Sequence, residues 1–236
     1  MEKIFGRPAK HREHETSDHW MSVSDLMSGL MIVFLFISIA LMRHALIERD
    51  KIKEVAITYQ NTQGALFDAL ITEFEKDLGK WNAEIDKNTL SFKFKSPDIL
   101  FGVGSFELKP LFRDVLADFF PRYMKVLNGF KSSIDEVRIE GHTSSNWSEG
   151  STSEEAYFRN MELSQARTRS VLFYTQKLPA VTNDREWIKK NIAAVGFSSS
   201  RLILDATGAE DPEKSRRVTF RVITNAETQI RKIIED

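Results

Sequence analysis

One carboxylate, Asp25, stands in an otherwise uncharged, largely apolar run from Trp20 to Met42, WMSVSDLMSGLMIVFLFISIALM. If Trp20 marks a membrane interface, an ionised acid at this depth costs less than the ~2.5 to 3.5 kcal/mol of the bilayer centre, but it is still unfavourable. Such a group can take up and release a proton, or hold a cation where neighbours supply oxygens. Ser22, Ser28 and Gly29 lie on its face at helical spacing. A plainer role fits the same residues. Ser22-x-x-Asp25 ahead of an apolar run has the spacing of a capping box, in which the acid serves backbone donors of a first helical turn. At the level of the residues both roles stand.

Other chemistry is sparse. The chain has no cysteine, which excludes disulfides, thiolate zinc sites and cysteine nucleophiles. Its 5 histidines are scattered, most of them in the N-terminal tail, so no metal site is expected. With 33 basic against 34 acidic residues there is no polyanion-binding signature, and no direct nucleic-acid partner is expected. His142, near Ser144 and Glu140, is the one trio that suggests an enzyme. Its members are neighbours along a strand, alternate residues of a strand point to opposite faces, and no nucleophile motif surrounds them. No enzyme and no resident cofactor are expected.

The elements that must position Asp25 begin with the run itself. Residues 20–42 make about 23 positions, or ~34 Å as a helix, enough to cross a bilayer. A secretory signal peptide is the competing reading, but no small-x-small cleavage site follows, only Met42-Arg43-His44. Lys3, Arg7, Lys10 and Arg12 on one side match Arg43, Arg49, Lys51 and Lys53 on the other, so flanking charge does not orient the span. Residues 1–19 form a tail.

Beyond the span, residues 43–88 keep a helical stripe through Ile52, Val55, Tyr59, Leu66, Leu70, Phe74 and Trp81, interrupted near Gly64. This predicts a helical neck that must pack on something, whether its own copy, a partner or the following domain. From Thr89 the period changes to two in Leu90-Ser91-Phe92-Lys93-Phe94-Lys95, a half-buried strand that opens a domain over 89–236. Pro110 opens a helix that Pro121 ends or kinks. Val137 to Glu140 reads as a strand stopped at Gly141, and Ser144 to Glu155 as a polar loop. A long helix spans roughly 154–178, a short one 183–191, and strands follow at Ile192–Val195 and Arg217–Ile223. The expected class is α+β, a single transmembrane helix and neck followed by a helix-backed mixed sheet.

Four pieces of this domain fall in the order of the OmpA-like peptidoglycan-binding domain: Phe101 to Pro110, Ile139-Glu140-Gly141-His142-Thr143, Asn160-x-x-Leu163-Ser164-x-x-Arg167, and Arg216-Arg217-Val218-x-Phe220. The resemblance implies that Thr143, Ser144, Asn160, Leu163 and Arg167 meet the diaminopimelate residue of the peptidoglycan stem. Arg167 would pair with its carboxylate, and Asn160 and Leu163 would hydrogen-bond and pack beside it. One departure stands out. The family usually carries aspartate directly after Gly-His-Thr, facing the ligand's ammonium, and here that place is Ser144. Glu149 or Glu154 from the long polar loop are the candidates to restore the charge.

A membrane helix with one acid, a neck and an OmpA-like domain also resembles the B subunit of the flagellar stator. Ser24-Asp25-Leu26-Met27-Ser28-Gly29-Leu30-Met31 and Gly141-His142-Thr143-Ser144-Ser145-Asn146-Trp147 look more like the B subunit of the Zorya anti-phage defence system. This resemblance implies a homodimer inside a pentameric ring of a stator-A-like membrane protein. Asp25, with Ser22 and Ser28, would handle a translocated proton or sodium ion, and the outer domain would hold peptidoglycan. It implies a single pass through the bacterial inner membrane, with the N-terminus cytoplasmic and the C-terminal domain periplasmic. A flagellar-type stator and a passive scaffold from membrane to wall are the alternatives.

Overall fold

The structure, a computed structural model, describes residues 15–95 and 100–225, with the side chains of the first helix described from Val23 onward. Expectations that rest on the tail before Glu15, or on the side chains of Trp20 and Ser22, lie outside the described residues. Helix α1 runs Glu15–Leu78. The chain divides into two compact units, Met1–Lys53 and Glu54–Asp236.

In the first unit the apolar positions of α1 are bare: Leu26 is 73% exposed, Met31 72% and Phe36 66%. A continuous run of uncovered aliphatic and aromatic side chains is unstable in water and needs a bilayer or apolar neighbours. Among the described residues this is the one helix long and apolar enough to cross a membrane.

The second unit is a five-stranded mixed sheet in the order β1-β2-β5-β3-β4, with β1 Ala83–Asp86, β2 Ser91–Lys95, β3 Ile134–His142, β4 Ile192–Gly196 and β5 Arg217–Thr224. Only β3 and β4 pair in parallel; the other neighbours are antiparallel. Among its described residues are also helices α2 (Pro110–Asn128), α3 (Ser153–Lys177), α4 (Arg185–Asn191) and α5 (Pro212–Ser215). The class is α+β, as the residue patterns predict.

Alternation builds the core. Phe92 and Phe94 of β2, Val137 and Ile139 of β3, and Val218, Phe220 and Val222 of β5 point to one face and are buried, together with Phe112, Leu116, Phe119, Phe120 and Tyr123 of α2. Phe119 is the hub. Its ring centroid lies 5.3 Å from Phe74, 4.5 Å from Phe92, 5.1 Å from Phe94 and 5.0 Å from Phe220, distances at which tilted and edge-on rings attract.

The helical stripe packs on the domain that follows it, and the helix ends before Trp81. Leu66, Leu70 and Phe74 are fully buried in this core, so the last turns of α1 are part of the domain. The helix passes through Gly64 without a break and stops at Leu78; Trp81 is buried beyond it, in the turn that leads into β1. Arg122 of α2 fastens the junction. It reaches Glu73 at 2.7 Å and Asp77 at 2.9 Å, and its guanidinium lies 4.8 Å from the centroid of the Phe74 ring. The sheet therefore starts at Ala83, ahead of the Thr89 at which the alternation becomes visible.

Two further details differ. Helix α2 continues through Pro121. Strand β3 does not stop at Gly141 but runs on to His142. Gly141 is needed for another reason. A Cβ there would sit 2.7 Å from the carbonyl oxygen of Ser164, and one on Gly196 2.5 Å from the backbone nitrogen of Gln165. The ends of β3 and β4 thus lie directly against the backbone of α3, and this contact fixes where the side chains of α3 emerge.

Phe119→Ala is expected to lower stability by about 3 to 5 kcal/mol, while Phe119→Leu, which keeps most of the volume, loses much less. Thermal unfolding of the full chain in detergent, followed by circular dichroism, measures both.

Candidate functional site

Asp25 is exposed on α1 and lies well inside the helix, because α1 begins at Glu15. The backbone N–H groups that a cap serves belong to the first turn, so the capping-box role weighed for Ser22-x-x-Asp25 is corrected: the helix does not start at Ser22. Ser28 donates its hydroxyl to the Ser24 carbonyl at 2.8 Å, which leaves the lone pairs of its oxygen outward. A Cβ built on Gly29 meets nothing within 4 Å, so this face of the helix is open at Asp25.

In the domain, the predicted residues gather where β3, α3 and the adjoining loops converge. Helix α3 starts with a complete capping box, Thr152 with Glu155, which ends the polar loop after β3. Asn160, 3% exposed, spends both amide hydrogens on this loop, donating to the carbonyls of Ser144 and Asn146 at 3.1 Å each. Thr143 is buried; its backbone N–H donates to the Ser198 carbonyl at 2.9 Å, and its hydroxyl has no hydrogen-bond partner among the described residues. Ser144 and Leu163 are half-buried.

Arg167 is 9% exposed and points into a second loop. Its Nε donates to the Ser105 carbonyl at 2.9 Å and its Nη2 to the Gly102 carbonyl at 3.2 Å, with the Phe101 ring centroid 4.9 Å from the guanidinium carbon. This loop is a tight turn closed by the Phe101–Leu108 bridge, with Gly104 at a φ of 65°. The structure thus gives Asn160 and Arg167 a positioning duty toward two loops, besides any duty toward a ligand.

Glu149 and Glu154, proposed from sequence to supply a missing charge, are exposed on the loop and at the start of α3. The carboxylate that the structure bonds to the residues after Thr143 is Glu210, which accepts from the backbone N–H of Ser145 at 3.0 Å and also from its hydroxyl. Sequence reading missed it. It lies 65 positions away with no local motif, and only the folding back of the loop between β4 and α5 brings it here.

The Glu140–His142 pair also reads differently in the structure. Two apart on β3, they share a face, contrary to the expectation that alternation separates them. His142 Nε2 lies 3.4 Å from Glu140 Oε2, with both side chains at 4% exposure or less. His142 stacks on Phe197 at 5.3 Å. Burial pushes the His142 imidazole below its ordinary range, Glu140 pulls it up, and nearby Arg217 and Arg201 push it down again. Burial pushes the Glu140 carboxyl up, but His142, Arg221 and Arg201 outweigh this and hold it below the usual carboxylate range. The pair is therefore a neutral imidazole beside a carboxylate, locked into the sheet next to the Thr143 end of the site.

These features define a class of protein, a chain with one membrane-length apolar helix and an α+β domain whose site is built by the end of an inner strand, one long helix and the loops clamped to them. No family model matches the sequence. Among solved structures, a MotB-like protein from Desulfovibrio vulgaris aligns with a TM-score of 0.48 at 20% identity, over 75% of this chain and 94% of that one. The cell wall anchor of the T6SS from Pseudomonas aeruginosa aligns with a TM-score of 0.45 at 21% identity, over 66% of this chain and 96% of that one. The Zorya protein ZorB of Escherichia coli is 56% identical over 236 residues, covering 100% of both chains. The chain belongs to the ZorB family.

Because His142 is held neutral in the fold while an unfolded chain takes up a proton below about pH 6.5, stability is expected to fall as the pH drops through that value. The loss is bounded at about 1.4 kcal/mol per pH unit. Loss of the Glu140 charge adds to it only at still lower pH, below the ordinary carboxylate value of 4.5. Thermal unfolding midpoints from pH 7.5 to 5 check this, and His142→Gln should flatten the slope below pH 6.5.

Proposed function

We propose that this chain is the ion-carrying, wall-anchored subunit of a stator-like rotary motor in anti-phage defence. The observation that carries the reading is Asp25. It is a carboxylate inside a membrane-length helix, past the helix start and on an open face with Ser28 and Gly29. A charge in that position is retained at a cost, and carriage of a proton or sodium ion gives it a use. Each elementary charge moved through the membrane potential releases about 2.3 kcal/mol per 100 mV.

In this reading two copies of the chain sit within a pentameric ring of a stator-A-like partner in the bacterial inner membrane. The N-terminus is cytoplasmic and the C-terminal domain periplasmic. The domain holds peptidoglycan at the site of Thr143, Ser144, Asn160, Leu163 and Arg167, so that the chain stands still while the partner turns. No catalytic residue is assigned. Membership of the ZorB family supports the defence setting.

Asp25→Asn keeps the side-chain shape and hydrogen-bonding capacity but cannot carry a proton. With protein level and binding to isolated sacculi unchanged, phage protection is expected to fall to that of cells lacking the chain, and ion flux to vanish. Unchanged protection and flux would instead assign the chain a passive role between membrane and wall.

A further inference from the structure

Glu210 is held in place from both sides. The turn before it is closed by Asp205, which accepts from the backbone N–H groups of Thr207 at 2.8 Å and Ala209 at 3.1 Å, with Gly208 at a φ of 82°. Leu204 and Glu210 bridge across this turn, and the Asp211 N–H donates to the Ile203 carbonyl at 2.8 Å. On the other side lies Ser145, with both of its donors on the carboxylate. Two neutral donors fill only part of a carboxylate's capacity of about four acceptor sites, and they leave its charge in place. Among the described residues no lysine, arginine or histidine forms an ion pair with Glu210.

The loop braced by Glu210 is the one that Asn160 holds by the carbonyls of Ser144 and Asn146. Two turns further along α3 stands the Arg167 cation. Ser145, which donates to Glu210, also lines an open cavity of about 560 Å³ with Asn146, Trp147, Glu149 and Thr152, and Glu210 stands behind that lining. A fixed anion on the loop after β3 and a fixed cation on the helix that clamps it suit a ligand carrying both charges, such as a diamino acid within a peptide.

We propose that Glu210 supplies the anionic half of the peptide site and accepts the side-chain ammonium of the diamino acid, a charge that neutral Ser144 does not provide. This inference rests on the wall-binding reading above and assigns to it a residue from a loop outside the motif. Because the turn around Asp205 fixes Glu210 before any ligand arrives, binding requires little further ordering of this residue.

The test uses the full chain in detergent and competition against labelled sacculi by two probes. One is the stem tripeptide ending in meso-diaminopimelate; the other is the same peptide with its side-chain ammonium acetylated. The wild type is expected to prefer the free ammonium about tenfold. Glu210→Gln should lose that preference and keep the wild-type affinity for the acetylated probe, while Glu149→Gln, which removes the exposed carboxylate of the same loop and leaves Glu210 in place, should retain it. An equal preference in Glu210→Gln, no preference in the wild type, or the same loss in both variants overturns the inference. A wild-type chain that does not bind sacculi at all overturns the wall reading itself.

Discussion

The interaction on which the rest of the structure depends is the burial of Phe74 against Phe119, Phe92 and Trp81. Each ring removes apolar surface from water, and the tilted and edge-on contacts add to that gain. The consequence is topological. The last turns of α1 become one wall of the domain core, the chain must turn between Leu78 and Trp81, and β1 can then pair with β2. Arg122, bonded to Glu73 and Asp77 and lying over the same rings, gives the junction a polar lock at its rim.

From that core the site follows by a second close contact, glycine against helix. Gly141 and Gly196 let β3 and β4 approach the backbone of α3 more tightly than any side chain would allow. With α3 fixed at this distance, Asn160 meets the carbonyls of one loop and Arg167 those of another. The residues that would recognise a wall peptide are therefore also those that hold the recognition loops. Their replacement by alanine would mix a loss of ligand contact with a loss of loop order, which is why charge-selective probes are more informative than simple truncation.

Much of the fold was legible in the residues. The alternation of Phe92 and Phe94, Pro110 at a helix start, the long helical pattern before Leu178 and the strand pattern from Arg217 to Ile223 all mark elements that the structure contains. These are local signals. The elements that were missed are set by distant partners. Ala83–Asp86 is too short to show a period and is a strand because β2 pairs with it. Gly141 looked like a stop because the nearness of α3 cannot be seen in β3 alone. Asp25 was visible at once, while its exclusion from a cap required the start of α1. Glu210 was invisible, since nothing in its own segment shows that it lies at Ser145.

In the motor reading proposed above, the carboxylate inside the apolar helix would be the place for an ion, and the clamped loops of the domain would be the means of standing still. Neither half makes a motor alone. Ion-driven rotation against the wall can be read by single-molecule fluorescence polarisation of a label on the partner ring, in wall-bound complexes under an imposed ion gradient. Stepwise rotation that stops when the gradient is collapsed is the expected result. A ring that never turns, or one that turns equally with and without the gradient, would contradict it.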